Sequence, residues 1–70
     1  MPPAVLSAPD AHAVLAAVAA LPAPERAVIE AVDVRGASHV ETADALGVPL
    51  GIVRHRLFRG RQQVVRSLRG

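Results

Sequence analysis

Apolar residues recur along this chain at helical rather than alternating intervals, and four segments follow from them. In the first, Ala11, Val14, Leu15, Val18 and Leu21 keep the i, i+3, i+4, i+7 spacing of one helix face. Ser7 or Asp10 is placed to cap its start, Pro9 fits a first turn, and Pro22 ends it. The second segment opens in Pro22-Ala23-Pro24-Glu25, where prolines and an acid suit a helix N-terminus. Val28, Ile29 and Val32 form its apolar stripe, and Gly36 is its expected C-cap. The alternation Val32-Asp33-Val34-Arg35 imitates a strand but is too short and has no partner run.

The third segment begins with Ser38-His39-Val40-Glu41, an S-x-x-E capping box. In that arrangement the serine oxygen takes the backbone N–H of the glutamate, and the glutamate takes that of the serine. Val40, Ala43 and Leu46 are expected to face inward, Ala45 is small enough to let another helix approach, and Gly47 stops the helix. A fourth segment runs from Pro49 to about Leu68. At about 100° per residue, Val53, Leu57, Gly60, Val64 and Leu68 gather on one side. Gly51, Ile52, His55, Phe58, Arg59, Gln62 and Arg66 gather on the other, with Arg54 and Arg56 flanking them. Gly60 on the inner side costs about 1 kcal/mol of helix propensity relative to alanine, so another helix is expected to pack closely there. A capped helix, a glycine turn and a proline-started helix make a helix-turn-helix pattern.

The charge distribution changes what this pattern means. The chain has 70 residues and a formal charge of +2. Residues 1–50 hold all six acids against Arg26 and Arg35, a net of −4; residues 51–70 hold six arginines and no acid, a net of +6. A basic element carried on an acidic scaffold points to a polyanion, and nucleic acid is the common one. The absence of lysine fits a GC-rich genome and carries little functional weight of its own.

Other classes fall away. With no cysteine there are no disulfides, thiolate nucleophiles or cysteine zinc sites. His12, His39 and His55 are too scattered for a ligand set, and the acids read as solvated, capping or ion-paired groups rather than catalytic pairs. Asp33 and Asp44 are the two candidate partners for Arg61. No enzyme activity, cofactor, metal or small-molecule substrate is expected. The N-terminus lacks the positive charge of a signal peptide, and the alanine-rich run Ala13 to Leu21 is too short to span a bilayer. The apolar face of the last helix is needed for the core, which leaves no membrane role. A soluble cytoplasmic protein is expected.

A recognition helix needs exposed base-reading residues near its N-terminus and charges on its flanks for phosphates. Arg54, His55 and Arg59 occupy the first two turns on or beside the outward face, where an arginine can span guanine O6 and N7. Phe58 between them suits a thymine methyl or a sugar edge, Gln62 extends the same face, and Arg66 and Arg69 add nonspecific attraction.

Three stretches then resemble a known family. These are Leu21-Pro22-Ala23-Pro24-Glu25-Arg26, Asp33-Val34-Arg35-Gly36-Ala37-Ser38, and Glu41 through Arg61 with its Ala43-Asp44-Ala45-Leu46-Gly47-Val48-Pro49 and Arg54-His55-Arg56-Leu57-Phe58-Arg59 runs. Together they closely resemble region 4 of extracytoplasmic-function sigma factors, over about residues 10–69. The resemblance implies an all-α, four-helix domain with a C-terminal helix-turn-helix, winged-helix-like but without a wing. It further implies recognition of the promoter −35 element, binding to the β flap of RNA polymerase and control by an anti-sigma factor. By the same resemblance Arg54, His55 and Arg59 fall at base-reading positions. Arg56, Phe58 and Arg61 fall where the family makes neighbouring DNA contacts or packs, and Ser38 lies near a phosphate-binding helix start.

Three positions depart from the family pattern. His55 stands for the usual serine, so the preferred promoter sequence is expected to differ. Ile52 stands for threonine at a backbone-contacting position and loses a hydroxyl, and Gly60 stands for alanine. Two alternatives remain at this level: a degenerate region 4 acting mainly through protein contacts, and a LuxR-type response-regulator effector domain. The expected organisation is a flexible tail over residues 1–6 and a region 4 domain over residues 7–70, its helix-turn-helix spanning residues 38–69. The family's region 2, which binds the −10 element, has no counterpart here, so the chain alone is not expected to be a complete initiation factor, and an excised domain with an added Met1 is expected rather than a free-standing relative.

Overall fold

The computed structural model describes residues 11–70. The tail expected over residues 1–6 and the caps expected at Ser7 or Asp10 lie outside the described residues. Four helices follow one another, and no strand occurs among the described residues. They are α1 (Ala11–Ala19), α2 (Ala23–Ile29) prolonged by a π-helical turn (Glu30–Val34), α3 (His39–Leu46) and α4 (Leu50–Arg69). The three shorter helices pack against α4, which forms the spine of the domain.

The core joins Val18 and Leu21 from the α1 end, Val28 and Ile29 from α2, Ala43 from α3, and Val53 and Leu57 from α4. Val14, Val32, Val48 and Val64 pack around it. The inner stripe expected for the last helix is therefore the one that is buried. Gly60 meets α2 as expected: a Cβ built there would stand 2.8 Å from Ile29 Cγ1 and 3.2 Å from Ile29 Cδ1. The α2–α4 crossing has no room for a methyl group.

Four side chains expected inside are exposed, Ala11 at the very start of α1 among them. Leu15 is 53% accessible, because α1 turns Ala17, Val18 and Leu21 inward and leaves Leu15 more than a quarter turn off that face. Val40 is 58% and Leu46 40% accessible, because α3 is rotated so that Thr42, at 2%, takes the inner position beside Ala43. A hydrophobic pattern counts threonine as polar. Here its hydroxyl donates to the Ser38 carbonyl at 2.8 Å, so burial leaves no polar group unpaired. Ala45 is exposed and admits no helix against it.

The stretch that imitates a strand is the π-helical turn. The Arg35 N–H donates to the Glu30 carbonyl at 3.0 Å, one residue wider than an α-helical bond. Gly36 then adopts φ +79°, and the Ala37 N–H closes onto the Ala31 carbonyl at 2.9 Å. The capping box of α3 is complete, with Glu41 N–H to Ser38 Oγ at 3.0 Å and Ser38 N–H to Glu41 Oε1 at 2.9 Å. Gly47, at φ +67°, ends α3 in the left-handed conformation, and the Val48 N–H reaches back to the Ala43 carbonyl at 3.1 Å. Pro49 then starts α4 with its own carbonyl accepting from Ile52 and Val53.

The Gly60 contact makes a prediction whose sign opposes intrinsic propensity. Gly60→Ala gains about 1 kcal/mol of helix propensity but forces a methyl into Ile29, and overpacking of this kind costs about 1–3 kcal/mol. Urea denaturation of Gly60→Ala is expected to show a net loss of about 1 kcal/mol. Part of that loss should return in an Ile29→Val background, where the δ carbon is gone.

Candidate nucleic-acid interface

With Val53, Leu57 and Gly60 buried, helix geometry fixes what the opposite side of α4 presents. Arg54, His55, Phe58, Arg59, Gln62 and Arg66 are all exposed, Phe58 at 62%. Ile52 is exposed within the first turn of the helix, and Arg56 is half-buried at the edge of the face. The three residues expected to read bases therefore share the solvent side of the first two and a half turns. None of them has a hydrogen bond or ion pair to another part of the described chain.

Phe58 stands as a ridge between two hollows, since it lines both. One, of about 490 Å³, has Arg54, Arg61, Arg66 and Arg69 around Leu57 and Val65. The other is lined by His55, Arg59, Gln63 and Arg66 with Gln62. No carboxylate lines either one. Arg61 apart, which is paired with Asp33, such a surface offers guanidinium forks and an exposed ring to an anionic partner with no ion pair to compete among the described residues. Val65 went unassigned from the sequence, yet it lies at i+7 from Phe58, a spacing that places both on one stripe.

Two expected contact residues already have work within the fold. The Ser38 oxygen accepts the Glu41 N–H. Both Ser38 bonds, the backbone N–H before the hydroxyl contact, hold the Glu41 carboxyl below the usual glutamate range. Arg61 pairs with Asp33, the first of its two candidate partners. Nε donates to Oδ2 at 2.9 Å and Nη2 to Oδ1 at 2.7 Å, a two-pronged bond across 28 positions of sequence. That bond, helped by the charges of Arg61 and His39 and opposed by partial burial, lowers the Asp33 pKa. The same pair holds the Arg61 proton more firmly than usual.

Residues 11–64 match the family model described as Sigma-70, region 4. The chain belongs to the sigma-70 region 4 family. It is also 47% identical over 49 residues to the ECF RNA polymerase sigma factor SigE of Mycolicibacterium smegmatis, an alignment covering 70% of this chain and 19% of that protein. The chain thus spans about a fifth of the length of that relative. No solved structure matches it significantly. The resemblance to extracytoplasmic-function region 4 and the all-α helix-turn-helix reading both hold. The family match decides against the LuxR-type alternative.

One bracing contact of this region 4 domain escaped the sequence reading. Arg26 reaches the α1 end, with Nη1 at 3.5 Å from the Ala19 and Leu21 carbonyls, and its Nε lies 3.7 Å from Glu30 Oε1. It joins the open carbonyls of one helix to a carboxylate of the next. The signal was present, because Glu30 follows Arg26 at the i+4 spacing of helical ion pairs. Among the described residues no group of three or more potential metal ligands occurs, and no helix is long and apolar enough to cross a membrane.

The Asp33–Arg61 bond gives a pH dependence of definite sign. Asp33 is depressed in the fold, so its contribution is complete above the ordinary aspartate pKa of about 3.9 and fades as pH falls through the lower folded value. Both side chains are partly solvated, at 52% and 34%, which holds the contribution under about 1 kcal/mol. Asp33→Asn should lower stability near neutrality and flatten the acid limb of the stability curve. Thermal melts from about pH 2 to pH 7, spanning the ordinary aspartate range, check it.

Proposed function

We propose that this domain recognises the −35 element of promoters as region 4 of an extracytoplasmic-function sigma factor, with α4 in the major groove. Arg54, His55 and Arg59 read base edges. Ser38, Ile52, Arg56, Phe58 and Gln62 contact the backbone or the flanking surface. Arg61 does so from within its pair with Asp33, which uses Nε and Nη2 and leaves Nη1 to turn toward a phosphate. The observation that carries this reading is the acid-free, outward side of α4, where the three base-reading residues are exposed and unpaired. Family membership and the name of the similar mycobacterial protein, an RNA polymerase sigma factor, support it.

The same reading assigns the β flap of RNA polymerase and an anti-sigma factor as protein partners, and the bacterial cytoplasm as the place of action. It includes no enzyme activity and no cofactor. Recognition would follow a division of labour common to such helices: arginines on the flanks neutralise phosphates and fix the register, while the central residues discriminate bases.

Selection of bound duplexes from a random pool at two salt concentrations tests it. Affinity should fall steeply with salt, at a logarithmic slope of about −0.9 per neutralised phosphate. Arg59→Ala should cost about 1–3 kcal/mol and relax preference at one base position. If Arg59→Ala binds every duplex as before, the base-reading assignment fails. Weak, salt-insensitive DNA binding beside tight protein association would favour the degenerate, protein-binding reading instead.

A further inference from the structure

Among the described residues Arg61 is the arginine of α4 that has a carboxylate partner, and the way the two groups meet leaves part of the guanidinium open. Asp33 takes the Nε–H and one N–H of Nη2, and this single partner satisfies both of its oxygens. A guanidinium carries five N–H donors in one plane. Three therefore remain, two on Nη1 and one on Nη2. The pair of parallel donors at the end of the fork, one from each terminal nitrogen, is left whole, and such an edge matches two oxygens of a phosphate.

The surroundings fix which side of the pair faces outward. Arg61 lines the arginine-ringed hollow beside Arg54 and Arg66, and also an apolar hollow with Val18, Ile29 and Val64. Asp33 lines the second and not the first, so the guanidinium stands between the carboxylate and the arginine-bearing face. The pair is also well anchored: Gly60, next to Arg61, packs on Ile29, which lies one helical turn before Asp33. Two opposed effects on a phosphate follow. The carboxylate repels it, but across the guanidinium, at about the Debye length of ~8 Å where exposed charges are largely screened. The carboxylate also holds a long side chain in place before DNA arrives, and ordering such a side chain on binding otherwise weakens affinity roughly two- to tenfold. Ordering is the larger effect.

We propose that Asp33 is a positioning residue for promoter binding: it holds Arg61 so that the unused Nη1 and Nη2 edge of the guanidinium receives one backbone phosphate. An acid on α2's π-helical turn thereby strengthens the grip of α4 on a polyanion without touching it. The inference rests on the promoter reading above and adds to it a residue from the acidic half of the chain.

Affinity of the 70-residue chain for its selected duplex, followed by fluorescence anisotropy across a salt series, is the test. It is run at a temperature where circular dichroism shows every variant folded. Asp33→Asn makes the chain one charge more positive and on charge alone should tighten binding; it is expected instead to weaken it roughly two- to tenfold. Asp33→Glu, which keeps the carboxylate, should recover part of that loss. Arg61→Gln should lower the salt slope by about 0.9, the share of one neutralised phosphate, and in that background Asp33→Asn should cause no further weakening. Replacing backbone phosphates one at a time by neutral methylphosphonates should find one position at which wild type and Asp33→Asn bind alike. If Asp33→Asn binds as tightly as the wild type or tighter, Asp33 is a bystander or a rival for Arg61 and the proposal is overturned, while the promoter reading stands on the selective binding of the wild type. A weakening that persists in the Arg61→Gln background overturns it too, because the effect then runs through the fold at large. Absence of sequence-selective binding by the wild type sinks both this inference and the promoter reading.

Discussion

The rotation of α4 about its own axis governs everything this domain presents to solvent, and the contact between Gly60 and Ile29 sets that rotation most tightly. Val53 and Leu57 are apolar and would accept several orientations in a fluid interior. A backbone approach that excludes even one methyl group accepts only one. Once Gly60 faces α2, the 3.6-residue repeat leaves His55, Arg59 and Gln62 no choice but the outward side. The core and the outward arginine-bearing face are in this sense a single decision.

The second helix and its π-helical turn support that arrangement from the other end. Ile29 supplies the surface that receives Gly60, and the wider turn that follows carries Asp33 to Arg61. Among the described residues, the charges of the acidic half thus meet those of the arginine-rich helix at one well-formed pair, at the margin of its outward side rather than in its middle. Arg54 and Arg59 keep their charge uncompensated, and a bound polyanion meets no internal rival for them.

Much of this was legible in the residues. Glycine and proline punctuation located all four helices, the capping box named its own two hydrogen bonds, and the 100° repeat sorted α4 into inner and outer sides. What escaped has a common cause. Leu15, Val40 and Leu46 were placed inside on the strength of their apolarity, but a short helix has an inner strip only two or three residues wide. Which residues fill it depends on neighbours that a local pattern does not contain. Thr42 won its place by satisfying its hydroxyl within its own turn, and the hydrophobic spacing of Glu30–Val34 did not distinguish its π-helical register from an α-helical one. The outward side of α4 was foreseeable because a 20-residue helix repeats its pattern five times; α3, with eight residues, repeats it twice.

The bond between Asp33 and Arg61 also has a consequence for motion. It joins the two ends of a segment that contains α3, the glycine turn and the first half of α4, so it closes a loop around the helix-turn-helix. A local opening that detaches α3 while leaving this clasp intact keeps the loose segment tethered at both ends, and tethering removes much of the entropy that an open state would gain. Amide protons in α3 should then exchange through brief, partial openings rather than through separation of the two helices, and α4 keeps its footing while its neighbour breathes.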